Sequence, residues 1–298
     1  MRSINFKAIA ALTGAMLFWS LSFVWYKEAY RFFTPIAVIF MRLVIATMLI
    51  GILTLAFNRF QKIHRTDWFG FALLAFFEPF LYFMFESYGI EKTSPTIASI
   101  IIALIPLLTP LALGIFLKKT TDKSCVTGLA ISFAGVVLVV VSDATNFKSD
   151  LLGVLLMFGA ALSALGYSVI LTRLIGKYNT LMIMFTQNVL AVAYFTPFFV
   201  INEYSSWTQV PFSVSTYAVI FKLAVFASFV AFTLFVYGVG RIGVTVGNMF
   251  TYLIPVFTAI FAYFTLGDPL SPAKILGVLI VIAGLTFPML VSRLSKSG

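Results

Sequence analysis

The chain reads as a succession of long apolar runs separated by short polar loops. Ten runs stand out, at about 8–26, 34–57, 67–88, 95–117, 124–142, 151–172, 180–201, 215–238, 243–266 and 273–291. Each comes close to the roughly 20 apolar residues that a helix needs to cross a hydrocarbon core of about 30 Å. The pattern therefore predicts an all-α polytopic membrane protein with ten transmembrane helices. The first run follows Arg2 and Lys7, but it is too long for a signal peptide and shows no small-residue cleavage site, so it reads as a span.

Composition supports this class. Of 298 residues, 61% are hydrophobic and 10% charged, against about 25% charged in a soluble domain. That excludes a soluble two-domain enzyme. The single cysteine, Cys125, excludes a disulfide framework and a cysteine zinc site. The single histidine, His64, lies in a charged loop and leaves little room for metal or Ser-His chemistry. No metal or other cofactor is expected.

The net charge of +10 matters through its distribution. With a cytoplasmic N-terminus, the inner segments hold Arg2, Lys7, Arg59, Lys62, Arg65, Lys118, Lys119, Lys123, Arg173, Lys177, Arg241, Arg293 and Lys296. The outer segments hold Lys27, Arg31, Lys92, Lys148 and Lys274. This is 13 against 5, and cytoplasmic loops of membrane proteins carry the excess of Lys and Arg. Both termini are therefore expected in the cytoplasm, with the chain in a bacterial inner membrane. The basic charge is an orientation signal rather than a sign of nucleic-acid binding.

The chain also repeats itself. Gly89, Lys92, Thr96, Leu104, Ile105, Pro106, Thr109, Gly128, Ala134 and Gly135 recur, 149 residues later, as Gly238, Arg241, Thr245, Leu253, Ile254, Pro255, Thr258, Gly277, Ala283 and Gly284. Five helices per half is an odd number, so the second half must be inverted relative to the first. The expected units are residues 1–143 and 144–298. Inverted repeats characterise transporters whose substrate site lies near the midplane between the halves.

Two five-helix halves, with Leu266-Gly-Asp-Pro-Leu-Ser-Pro272 leading into Gly277 and Ala283-Gly284, resemble the EamA branch of the drug/metabolite transporter superfamily. The resemblance covers nearly the whole chain and implies a transport cavity to which the fifth and tenth helices are peripheral. Where the first half of many relatives has an acid after the fourth helix, this chain has Lys118-Lys119; Asp268 keeps the acid in the second half.

Ionisable residues inside a bilayer are costly and mark function by default. Arg42, Glu78 and Lys222 fall within runs, and Glu86 lies nearer the outer face. At 1.5 Å per residue, Arg42 lies at a depth of roughly 12 Å and Glu78 at roughly 16 Å on antiparallel helices, so the two are within reach of pairing. Glu78 is expected to bind a proton or a cationic group, and Arg42 or Lys222 an anionic one; the competing reading is an ion pair that only fixes two helices.

Pro106 and Pro255 occupy matched positions in the fourth and ninth runs, and Pro79 follows Glu78. Each removes an N–H and frees a carbonyl one turn earlier, and broken helices at matched positions point to a transport site. Asn248 and Tyr252 share a face beside Pro255, and Gln187 and Asn188 hold the place in the seventh run that Met41 and Arg42 hold in the second. Among the aromatics, Trp19 and Tyr82 sit deep enough to line a cavity. Trp25, Tyr26 and Tyr88 read as interfacial belt residues. Gly128 and Gly135, and likewise Gly277 and Gly284, are seven apart on one stripe and are expected to let the fifth and tenth helices pack closely.

The leading expectation is a secondary transporter, an exporter of a small organic metabolite such as an amino acid, working by alternating access and coupled to protons. Nucleotide-sugar or other anionic exchange is the alternative, with a channel or lipid scramblase behind it. No Walker loop is present, so ATP is not the direct driver. Intramembrane proteolysis is not expected, because the aspartates lie in loops or at helix ends and the one histidine is outside the runs. The expected partners are a small-molecule substrate, membrane lipid and a proton; the oligomeric state is open.

Overall fold

The computed structural model describes residues 5–92, 101–102, 104–141, 151–211, 213–266 and 271–294. Regular structure among them is helical: α1 (Phe6–Ala29), α2 (Pro35–Ala56), α3 (Trp68–Ala75), α4 (Tyr82–Lys92), α5 (Leu104–Leu117), α6 (Lys123–Val141), α7 (Leu151–Leu174), α8 (Thr180–Phe198), α9 (Tyr204–Trp207), α10 (Val214–Lys222), α11 (Phe232–Ile242), α12 (Val244–Met249), α13 (Leu253–Leu266) and α14 (Pro272–Leu294). Wide π-helical turns at Phe76–Leu81, Phe199–Glu203 and Leu223–Ala231 join α3 to α4, α8 to α9 and α10 to α11.

Five helical stretches are long and apolar enough to cross a membrane: Pro35–Ala56, Arg65–Gly89, Leu151–Leu174, Thr180–Trp207 and Val214–Ile242. Shorter apolar helices occupy Phe6–Ser22, Leu104–Leu117, Lys123–Leu138, Val244–Phe257 and Pro272–Pro288. The helices start where the sequence offers caps. Asn5, Thr34, Asn179 and Ser213 each accept a hydrogen bond from the backbone N–H three residues on, and Pro35 sits at the first helical position of α2. Gly243, at φ 93°, turns the chain from α11 into α12, a left-handed conformation that favours glycine.

Large apolar side chains face outward in stripes. Met48, Ile52 and Leu55 of α2 follow helical spacing and are all exposed, as are Leu111, Ile115 and Phe116 of α5. A soluble protein rarely exposes such continuous apolar surface; in lipid it is the matched surface.

Inside the bundle, small residues set the contacts. A Cβ on Gly128 of α6 would stand 2.6 Å from the Gly284 carbonyl oxygen of α14, and one on Gly135 would stand 2.7 Å from that of Gly277. Only glycine permits this approach. The Ser132 hydroxyl adds a hydrogen bond to the Val281 carbonyl at 3.2 Å. The pairs ascend one helix as they descend the other, so α6 and α14 are antiparallel. Under the 149-residue repeat, Gly128 maps to Gly277 and Gly284 to Gly135, so one contact is the image of the other.

The same relation recurs elsewhere. Gly89 at the end of α4 packs against Met157 of α7, and its repeat counterpart Gly238 packs against Leu12 of α1. Helices α2 and α8 face each other, with Gly51 against Phe185 and Phe40 stacked at 4.3 Å on Phe199, the first residue past α8.

Polar ties close the two ends of this pair unequally. At one end Asp67 accepts hydrogen bonds from the Lys177 ammonium at 2.9 Å and the Tyr178 hydroxyl at 2.8 Å. The Tyr178 oxygen in turn accepts from the His64 N–H at 3.1 Å. Asn179 donates to Gln61 and to the Arg59 carbonyl. At the other end the Thr34 hydroxyl donates to Glu203 at 2.6 Å.

Candidate functional site

The site begins at a broken helix. Pro79 lacks the N–H that would bond the Ala75 carbonyl, and Glu78 leaves helical geometry at φ −146°, ψ 123°. Neighbouring helices supply donors to the distorted stretch. The Ser163 hydroxyl of α7 donates to the Phe77 carbonyl, and the Tyr194 hydroxyl of α8 to the Ala72 carbonyl at 3.1 Å. Irregular backbone at membrane depth persists where protein groups satisfy it in this way. The break holds Glu78 in the interior, 9% exposed.

Arg42 of α2 is 2% exposed. Its guanidinium carbon stands 4.0 Å from the centre of the Phe83 ring and 5.2 Å from that of Tyr26. Desolvated cation–π contacts are worth about 2 kcal/mol, less than the cost of burying an unpaired guanidinium. Its Nε and Nη2 have no hydrogen-bond partner. Both Glu78 and Glu86 lie within Coulombic reach of it, yet neither forms an ion pair with it; among the described residues the pair that closes is Lys177–Asp67. The expected depth match of Arg42 and Glu78 thus brings both into one cluster without joining them, because aromatic rings cover the guanidinium. Glu86 accepts a hydrogen bond from the Tyr82 hydroxyl at 2.9 Å, which places Tyr82 in the same cluster.

Beyond Phe83 a small void between α2, α4, α8 and α11 is lined by Leu43, Pro79, Phe83, Gln187, Asn188, Ser228 and Phe232, with no room for a water molecule. Gln187 is fully buried, and neither of its amide atoms has a partner. Trp19 stands beside this region: it packs edge-on to Phe232 at 5.0 Å and donates its indole N–H to the Ala227 carbonyl at 3.2 Å, inside the π-helical turn after α10. Its polar atom is therefore spent on the scaffold.

The remaining candidates lie elsewhere. Asn248 of α12 donates to the Thr109 hydroxyl at 2.9 Å and the Ser168 hydroxyl at 3.0 Å, knotting three helices together. Tyr252 is fully buried in a separate cluster with Cys125, Leu129 and Val281, next to α6 and α14. Pro255 follows a 3-10 turn at Phe250–Tyr252, where the Thr251 hydroxyl donates to the Asn248 carbonyl, and Ser20 donates to the Ile254 carbonyl. Pro106 is buried in α5, and one turn on, the Thr109 hydroxyl donates to the Ile105 carbonyl at 2.7 Å. Lys222 is exposed at the end of α10 and is not part of the cluster. Asp268, and Ser99 and Ala103, the counterparts of Asn248 and Tyr252, lie outside the described residues.

Sequence reasoning passed over three members of the site. Phe83 was one of 34 phenylalanines, Tyr26 read as a belt residue, and Ser228 gave no signal in an apolar run. Tyr26 could have been found, since it lies seven residues, two turns, after Trp19 on the same helix.

A bundle of apolar helices built by duplication, with charge of both signs buried beside a helix break, defines a membrane transporter. The model of the EamA-like transporter family matches this chain twice, at residues 6–141 and 151–290, and the chain belongs to that family. An uncharacterized transporter of Archaeoglobus fulgidus is 26% identical over 283 residues, covering 94% of this chain and 96% of its own. A chloroplastic WAT1-related protein of Arabidopsis thaliana is 25% identical over 281 residues, covering 92% of this chain and 67% of its own. One crystal structure superposes with a TM-score of 0.78 at 18% identity, over 96% of this chain and 97% of the other, and shares the fold.

Proposed function

We propose that this protein is a secondary active exporter of a small zwitterionic metabolite, an amino acid in the first instance, working by alternating access. The reading includes ten spans in two inverted halves, residues 1–143 and 144–298, with both termini in the cytoplasm of a bacterial inner membrane. One observation carries the substrate reading: a buried Arg42 with unpartnered N–H groups lies within Coulombic reach of two acids, Glu78 and Glu86. A carboxylate on the solute would pair with Arg42, and an ammonium would meet Glu78. Exposure of Lys222 leaves Arg42 as the cation of the cluster, which favours a zwitterion over a phosphate-bearing anion.

Glu78 is also the proposed proton carrier, since a carboxyl group cannot serve a cation and a proton at once and so couples the two. The matched units at 6–141 and 151–290 and the antiparallel α6–α14 seam support the inverted arrangement. Counterflow in proteoliposomes tests the function. Saturable exchange of labelled amino acid is the expected result. Unsaturable flux would indicate a channel, and absence of exchange with every amino acid would end the zwitterion reading.

A further inference from the structure

Gln187, Asn188 and Ser228 line the void beyond Phe83, and they carry four buried polar atoms: Nε2 and Oε1 of Gln187, Nδ2 of Asn188 and Oγ of Ser228. None has a hydrogen-bond partner. All three residues are at least 98% buried, with exposures of 0%, 2% and 2%. The Tyr167 hydroxyl lies within interaction distance of the Gln187 amide. A buried polar atom left unpaired costs about 1–3 kcal/mol, so four around one void are too many to be tolerated as packing. None of the four atoms carries a formal charge.

We infer that this void is a second subsite, built to receive the uncharged hydrogen-bonding end of the solute, and that a carboxamide is the group that fits it. The inference rests on the zwitterion reading above, in which the charged head lies at Arg42 and Glu78. The two subsites are contiguous: Phe83 forms the floor of Arg42 and a wall of the void, and Pro79, next to Glu78, forms another wall. Gln187 offers an acceptor and a two-hydrogen donor side by side, and a carboxamide offers the same pair reversed, so two hydrogen bonds close in a ring. Asn188 and Ser228 meet the remaining lone pair and hydrogen. A side-chain carboxylate would bring a second negative charge into a site with one cation. A hydrocarbon or thioether would leave the four atoms unmatched. The void has no room for water in this conformation, so occupancy requires α8 and α11 to part, which ties recognition of the solute's tail to movement of the bundle.

The test uses the full-length protein in proteoliposomes, with labelled L-glutamine, L-methionine and L-glutamate compared in counterflow. The expected result is a half-saturation for glutamine about ten-fold lower than for methionine or glutamate. Gln187→Leu and the smaller change Ser228→Ala should both narrow that ratio, Gln187→Leu the more. Equal half-saturation for glutamine and methionine in the unaltered protein would overturn the subsite even if both are carried, and so would an unchanged ratio in both variants. Failure to exchange any of the three while other amino acids exchange also overturns it. Failure with every amino acid would instead bring down the zwitterion reading, and the subsite with it.

Discussion

The Arg42 guanidinium lies over the face of Phe83 with its carbon 4.0 Å from the ring centre, and the ring takes the place that a carboxylate would occupy in an ordinary buried ion pair. The charge is thereby held in the interior with hydrogen-bonding capacity to spare. Arg42→Lys should raise the half-saturation constant of the carried solute at least ten-fold, since an ammonium lacks the planar face that stacks on Phe83 and the fork that grips a carboxylate. Phe83→Leu removes about 2 kcal/mol of desolvated cation–π attraction and should raise it roughly thirty-fold. Counterflow kinetics measure both.

Glu78 stands at the helix break within Coulombic reach of Arg42. As the proton carrier, it makes Glu78→Gln a selective lesion. The expected variant is folded, exchanges solute at equal pH only with a raised half-saturation, because the ammonium loses its carboxylate, and no longer responds to a pH gradient. Gradient-driven uptake equal to that of the unaltered protein would remove Glu78 from the coupling role.

The glycine seam makes a structural prediction. Gly128→Val or Gly284→Val drives a Cβ into backbone about 2.6 Å away, and neither partner is a flexible side chain that can yield. Loss of monodisperse folded protein is expected, read by fluorescence-detected size exclusion in detergent. Gly14→Ala, whose Cβ would meet Leu234 at 3.4 Å, is the tolerated control.

At the polar end of the bundle, two ties converge on Asp67. Lys177 is 56% exposed and its ion pair is screened by solvent, whereas Tyr178 is 7% exposed and joins Asp67 to the His64 backbone. Tyr178→Phe should therefore lower the melting temperature in detergent more than Lys177→Met. The reverse order would show that charge, not the hydroxyl bridge, holds this end.

How far the sequence reveals this molecule depends on which coordinate is asked for. Depth is readable, because rise per residue is fixed, and Arg42 and Glu78 do share a cluster. Rotation about the helix axis is not, because a helix that is apolar on every side carries no periodic marker of which face turns inward. Lys222 illustrates this: it falls inside an apolar run, yet its side chain is exposed rather than turned toward Arg42 and Glu78. Tyr252 is another example, four residues from Asn248 yet packed toward a different pair of helices. The Gly128/Gly135 stripe was legible since small residues seven apart carry their own rotational signal, and the α6–α14 contact followed from it. The pocket beyond Phe83 was not, because Gln187 and Ser228 approach from helices whose mutual rotation only packing decides.

The α6–α14 seam has a further consequence. Gly128 against Gly284 and Gly277 against Gly135 are the same contact drawn twice, so the interface is isologous in the manner of a symmetric homodimer. Each half of the chain carries both the key and the lock. The seam is thus a self-complementary surface met by its own repeat, and one pattern of small residues specifies both of its sides.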